Sequence, residues 1–176
     1  IEYVGVDLSQ KLLQEAKRLK KWEKSTFLLG DVTQRLALAK RDFDAGCFLL
    51  SLQNMEDAEK AIHEAARHLK QAGKLLLVLN HPCFRIPRQS SWGVDEKNKL
   101  QYRKIQSYLS PQKIPVVTHP GKKGIVTTFS YHQSLSHYAR FLAEAGFCIA
   151  SLEEWYSEKL SEGSKAKMEN RSRSEI

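Results

Sequence analysis

Two acidic residues are placed where they could do chemistry. Asp7 ends the apolar run Tyr3-Val4-Gly5-Val6, and Asp31 follows the run Thr26 to Gly30. They lie 24 residues apart, with one helix-patterned segment between them. An acid at the end of a strand in an α/β sheet offers two carboxylate oxygens, which match the two donors of a vicinal diol such as that of a ribose. Dinucleotide-binding dehydrogenases use this device. A second acid one strand later can accept from an exocyclic amine such as that of adenine, while Val32 offers the ring an apolar edge. Each residue also has a plainer reading: Asp7 as a helix N-cap or solvated carboxylate, and Asp31 as a turn residue after Gly30. The two together, with a helix between them, weigh more than either alone.

The elements that would position these residues follow from local pattern. Ser9 is a cap for a helix whose Leu12, Leu13, Ala16 and Leu19 share one face. A short helix is expected over Gln34 to Lys40 and a third strand over Ala45 to Leu50. Asn54 is the expected cap of a helix carrying Ala58, Ala61, Ile62, Ala65, Ala66 and Leu69 at a period of 3.6, ended by Gly73. Lys74 to Leu79, rich in Leu and Val without alternation, reads as a strand covered on both faces. Strand and helix thus alternate through residue 80, the pattern of a Rossmann-like, doubly wound, mostly parallel α/β sheet. Ligands of such sheets bind beyond the carboxyl ends of the strands. Asp7, Asp31, Leu50 to Asn54 and Asn80-His81 are expected to meet on that rim. All five prolines then fall between residues 82 and 120. There a helix is expected from Val94 to Tyr108 and a strand from Gly124 to Tyr131. Ser134 caps a further helix that Gly146 ends, before a last strand over Phe147 to Leu152. From Ser157 the chain is a polar tail.

These segments together resemble class I S-adenosylmethionine-dependent methyltransferases. Tyr3-Val4-Gly5-Val6-Asp7-Leu8-Ser9, with Leu12, Leu13 and Ala16 behind it, resembles that family's second strand and helix. Phe27-Leu28-Leu29-Gly30-Asp31-Val32 resembles its third strand and adenine-binding turn, and Phe43 to Leu50 its fourth strand. Ala65 to Leu76 resembles its helix, glycine turn and fifth strand, with Ala72 and Lys74 where a proline and a second glycine are usual. Leu142 to Ile149 resembles the approach to its sixth strand. The resemblance implies S-adenosylmethionine as cofactor, with Asp7 on the ribose, Asp31 and Val32 on the adenine, and Leu8, Leu50 and Ser51 lining the site. The family's glycine-rich loop would precede Ile1 and its last strand would follow Tyr156. Residues 1–156 therefore read as a partial methyltransferase domain with an irregular basic insert over 81–133, followed by the tail 157–176. The chain by itself is expected to be inactive and to bind the cofactor poorly.

Charge singles out the insert. The net charge of the chain is +8, and residues 81–133 alone carry nine basic against two acidic residues. Its first part, His81 to Trp92, crowds cationic and planar groups: Arg85 and Arg88 suit a carboxylate or phosphate, and Phe84 and Trp92 suit a ring. Tyr131 is a further contact candidate at the far end of the insert. A small anionic or aromatic acceptor is the expected substrate; a solvated basic loop anchored by its aromatics is the plainer alternative. His81 and His132 are the candidates for accepting a proton, and each also reads as a structural or orienting histidine. His119 reads as a loop residue. No metal-ligand spacing occurs, and no metal is expected.

Three other functions fit parts of the pattern. Basic residues with aromatics suit RNA or DNA, although Leu50-Ser51-Leu52-Gln53 is not the Asp/Asn-Pro-Pro-aromatic turn of amino-methylating nucleic-acid enzymes. Asp7 serves a nicotinamide-dependent oxidoreductase equally well. A noncatalytic α/β scaffold binding through the insert is the third. No apolar run approaches the ~20 residues of a membrane helix. Three widely spaced cysteines make neither a disulfide framework nor a zinc knuckle; Cys47 and Cys148, in apolar runs, are expected to be buried, in a reducing cytoplasm.

Overall fold

The computed structural model describes residues 1–19, 23–38, 40–118, 126–156, 158–163, 166 and 170. The chain divides into two units, Ile1–Val78 with Arg140–Phe147 and Leu79–Ala139 with Cys148–Ile176.

In the first unit, β1 (Tyr3–Asp7) pairs in parallel with β2 (Ser25–Leu29), in the register Tyr3↔Ser25 to Asp7↔Leu29. Parallel neighbours need a crossover, and α1 (Gln10–Arg18) is part of it. The Ser9 hydroxyl caps α1 by accepting the Leu12 N–H at 3.3 Å. Of the expected apolar face, Leu13 is buried while Leu12 and Leu19 are exposed. β3 (Phe43–Leu49) pairs in parallel with β4 (Leu69–Val78), and α2 (Ala58–His68) connects them. Ala61 and Ile62 are fully buried, as the helical period required.

Several boundaries differ from expectation. No helix forms over the described residues of 34–40: Gln34 closes a single turn on the Asp31 carbonyl, and the next bonded N–H, that of Leu36, goes to the Glu64 side chain. The cap of α2 is Asp57, whose carboxylate accepts the Lys60 N–H at 2.9 Å. Asn54 instead closes a 3-10 turn over Leu52–Asn54 and donates from its side chain to the Leu50 carbonyl. Helix α2 ends at His68, since Leu69 is already extended and paired with Phe43. Gly73 lies instead in an irregular stretch of β4. The ladder jumps from Phe43↔Leu69 to Ala45↔Lys74, so Lys70 to Gly73 loop out, with Ala72 at φ +61°. A Cβ on Gly73 would lie 2.9 Å from the Lys70 carbonyl oxygen, which only glycine avoids.

β4 is also not covered on both faces. Leu75 and Leu77 are half-buried, whereas Leu76 between them is 55% exposed. Cys47, register partner of Leu76, is exposed on β3, and Cys148 is exposed as well. An apolar run does not reveal whether both faces of its strand find neighbours.

The second unit replaces the expected irregular insert with two antiparallel hairpins. β5 (Ser90–Asp95) pairs with β6 (Leu100–Ile105), and β7 (Gln112–Thr118) with β8 (Val126–His132). The helix expected from Val94 to Tyr108 is therefore the β5–β6 hairpin. The Asp95 carboxylate accepts the Asn98 N–H at 3.0 Å and Lys99 takes φ +54°, which reverses the chain. The strand expected over 124–131 is β8, apart from residues 124 and 125, which lie outside the described residues, as does His119. Ser134 precedes α3 (Leu135–Glu144) and is fully buried, its Oγ accepting the His137 N–H at 3.4 Å. The helix ends before Gly146, as expected. Phe147 to Leu152 pairs with no strand among the described residues, and Ile149 and Leu152 are exposed. A strand exists only through a ladder partner, which sequence pattern does not supply.

Replacing Gly73 by alanine is expected to lower stability by about 1–3 kcal/mol through the backbone clash, read as a shift of the urea unfolding midpoint at unchanged slope.

Candidate functional site

The β1–β2 pair brings Asp7 and Asp31 to one end. Asp7 is opposite Leu29, and Gly30 donates its N–H to the Asp7 carbonyl at 3.1 Å, so the two turns leave side by side. Each carboxylate organises its own turn. Asp7 Oδ1 accepts the Ser9 N–H at 2.7 Å. Asp31 Oδ1 accepts the Thr33 N–H at 2.9 Å and the Thr33 hydroxyl at 2.7 Å. These Asx turns set the direction of each carboxylate through Oδ1, and every carboxylate has a second oxygen to offer. Leu8 is exposed and Val32 half-buried beside them. Leu50 and Ser51 follow β3 at the corresponding end of the β3–β4 pair, where Leu50 donates to the Val78 carbonyl at 2.8 Å and takes φ +50°.

A buried polar group missed in the sequence supports the segment after Asp31. Glu64 of α2 is 6% exposed. It accepts the Leu36 N–H at 2.7 Å, His68 Nε2 at 3.0 Å and an Arg67 N–H at 3.1 Å. Burial works to raise its pKa, but the Leu36, His68 and Arg67 donors outweigh that and hold it below the ordinary carboxylate value.

In the second unit, Phe84, Arg85 and Trp92 gather around Arg103, which the sequence alone did not single out. Trp92 and Arg103 are cross-strand partners, and the guanidinium lies 5.2 Å from the indole centroid. Arg103 also donates to the Phe84 carbonyl and, at 3.3 Å, to Ser90 Oγ. Burial, then the charge of nearby Arg85, lowers the Arg103 pKa, and its buried Nε has no partner among the described residues. A helix over Val94 to Tyr108 hid this pairing; the alternation of Trp92 with Val94 and of Leu100 with Tyr102 was the signal that could have shown it.

His81 is held on both sides. Its Nδ1 accepts the N–H groups of Cys83 at 3.1 Å and Phe84 at 3.3 Å, while Nε2 pairs with the Glu154 carboxylate. Its ring lies 4.6 Å from that of Phe84. Arg85 and Arg88 are exposed, and Arg88 takes φ +61°. Tyr131 lies on the other hairpin, with Lys113 Nζ 5.4 Å from its ring centroid and 5.0 Å from that of Phe129. His132 is buried and its Nε2 donates to the Tyr108 carbonyl at 2.7 Å. The Tyr108 hydroxyl in turn accepts the Leu135 N–H at 3.1 Å.

Comparison with known proteins gives a consistent picture. Residues 1–77 match the model of a family described as a methyltransferase domain. The demethylmenaquinone methyltransferase of Thermotoga maritima is 35% identical over 79 residues, which cover 44% of this chain and 33% of that protein. The match thus spans about a third of that curated relative. Among solved structures, an S-adenosylmethionine-dependent methyltransferase from Mesorhizobium loti superposes with a TM-score of 0.71 at 23% identity, covering 97% of this chain and 72% of its own. A protein from Listeria monocytogenes, named as a candidate S-adenosylmethionine-dependent methyltransferase, gives 0.72 at 23% identity, covering 98% and 75%. The fold is therefore the α/β Rossmann-like one of these enzymes, as the sequence pattern implied.

The Cys83 thiol offers a check on the electrostatics of the second unit. Burial, then the Glu154 charge, raises its pKa, against a smaller opposing effect of Arg103. At pH 8 less of it is thiolate, so iodoacetamide is expected to alkylate Cys83 several-fold more slowly than exposed Cys47 and Cys148. Peptide mass spectrometry measures the three rates, and Glu154→Gln should speed the reaction at Cys83.

Proposed function

We propose that this chain, which has the class I S-adenosylmethionine-dependent methyltransferase fold and a methyltransferase-domain match over residues 1–77, is part of an enzyme that methylates a small anionic or aromatic acceptor. The observation that carries the reading is the adjacency of Asp7 and Asp31 at the carboxyl end of β1 and β2, inside the matched segment. Two carboxylates there fit the donor set of a nucleoside: a ribose diol for Asp7, an adenine amine for Asp31. The Ser9 and Thr33 donors hold each carboxylate by one oxygen, which fixes its direction before a ligand arrives. Leu8, Val32, Leu50 and Ser51 line the same strand ends in this reading.

S-adenosylmethionine, when bound, supplies a methyl group already activated by its sulfonium. The protein then has mainly to align donor and acceptor and keep water away. For the acceptor, the support comes from charge. The Arg85 guanidinium lies close enough to disfavour the charge of Arg103, and an anion relieves that repulsion. Trp92 and Phe84 supply planar surfaces beside them, with Arg88 and Tyr131 as outer contacts. The reading assigns no proton-accepting role to His81, whose two nitrogens already bond within the protein, or to His132, which is buried.

In the full-length protein, Asp7→Ala and Asp31→Ala are each expected to weaken S-adenosylhomocysteine binding by roughly tenfold or more, measured by titration calorimetry. Binding of a nicotinamide cofactor with no S-adenosylhomocysteine binding by the parent protein would overturn the assignment. With hydroxybenzoates as probe acceptors, Arg85→Ala should raise KM and leave kcat little changed. An unchanged KM would remove the anionic acceptor.

A further inference from the structure

We infer that Glu64 is a positioning residue for the adenine-contacting turn at Asp31, acting through the main chain of Leu36. The inference rests on the role proposed for Asp31 above. Glu64 Oε1 grips the Leu36 N–H at 2.7 Å from the buried face of α2. The Leu36 side chain then lies against the backbone of Gly30: a Cβ added to Gly30 would sit 3.1 Å from Leu36 Cδ2. Gly30 is the residue before Asp31, and its own N–H is bonded to the Asp7 carbonyl. Two contacts therefore run from α2 to Gly30, which is joined to Asp31 by its peptide bond and to Asp7 by a third contact.

The segment between is not packed flush on α2. A cleft of about 260 Å³ opens there, lined by Thr33, Gln34 and Arg35 on one side and by Glu59, His63 and Arg67 of α2 among others. Leu36 is thus the point where the segment is tied down. The tie continues through His68, whose Nδ1 lies 3.2 Å from the Lys40 carbonyl and whose Nε2 faces Glu64. Both ring nitrogens thus face oxygen acceptors, one from the Lys40 main chain and one from Glu64. An apolar residue at position 64 would bury without a desolvation cost. What the carboxylate adds is a directional hold on one main-chain N–H.

The test uses the full-length protein, S-adenosylhomocysteine as probe, and a double-mutant cycle with Asp31. Glu64→Ala is expected to raise Kd roughly tenfold. Glu64→Gln, which keeps an oxygen for Leu36, should raise it less. Amide hydrogen exchange should quicken at Thr33 to Leu36 in both variants. In an Asp31→Ala background, Glu64→Ala should change Kd by less than about twofold, since the turn no longer contributes. A merely structural role would cost affinity equally in both backgrounds, and that result overturns the inference. So does a folded Glu64→Ala protein that binds like the parent. If Glu64→Ala does not fold, Glu64→Gln is carried through the same cycle with the same criteria. Should Asp31→Ala itself leave affinity unchanged, the role of Asp31 fails instead; Asp31→Ala weak with Glu64→Ala neutral sinks only the positioning role.

Discussion

Parallel pairing of strands is the constraint from which the candidate site follows. Two parallel neighbours must be joined by a crossover, so both chains leave the pair at the same end. In β1 and β2 the ladder runs to the last residue and one bond beyond, from Gly30 to Asp7. The turns that follow are forced into adjacency, and both begin with an acid. β3 and β4 repeat the arrangement, with Leu50 bonded to Val78 after the last ladder pair. Leu50 pays for its turn with a left-handed φ of +50°, a strain of roughly 1–2 kcal/mol for a residue with a Cβ. Two residues later Leu52 is fully buried, an anchor of comparable or larger size.

The connection from β2 to β3 uses a different solution. No helix forms among its described residues, and some of its main-chain donors find partners outside the segment. One of them finds Glu64, twenty-eight residues on. That solution places a charged group in the interior, where it is tolerated because three donors surround it. The second unit meets the same demand with antiparallel hairpins, whose ladders are closed locally. There the Arg85 charge works against that of Arg103, which lies over Trp92 and donates to the Phe84 carbonyl.

How much was legible depended on the range of the interaction. The strands β1 to β3, the α2 face and the Ser9 cap are written in runs of a few residues and lie close to their expected places, whereas β4 begins at Leu69, five residues before the expected Lys74. Asp57 displaced Asn54 as cap because Leu52 is drawn into the core and tightens the preceding turn. The hairpin β5–β6 is not legible locally, because Leu100, Ile105 and Tyr108 leave the period ambiguous and the pairing of Trp92 with Arg103 joins residues from two strands. Glu64 and His68 were invisible as a pair with Leu36 and Lys40, since no local pattern marks a helix carboxylate that serves a distant main chain.

The sequence by itself determined the parallel α/β class, the two acids at strand ends and the basic character of residues 81–133. These depend on hydrophobic period, strand–helix alternation and composition, which are local quantities. Only the tertiary structure decided which acids lie side by side, which arginine joins Arg85, and which carboxylate engages His81 Nε2. Each of those is a contact between residues far apart in the chain, and it exists only after the backbone has chosen its ladders and its buried hydrogen bonds.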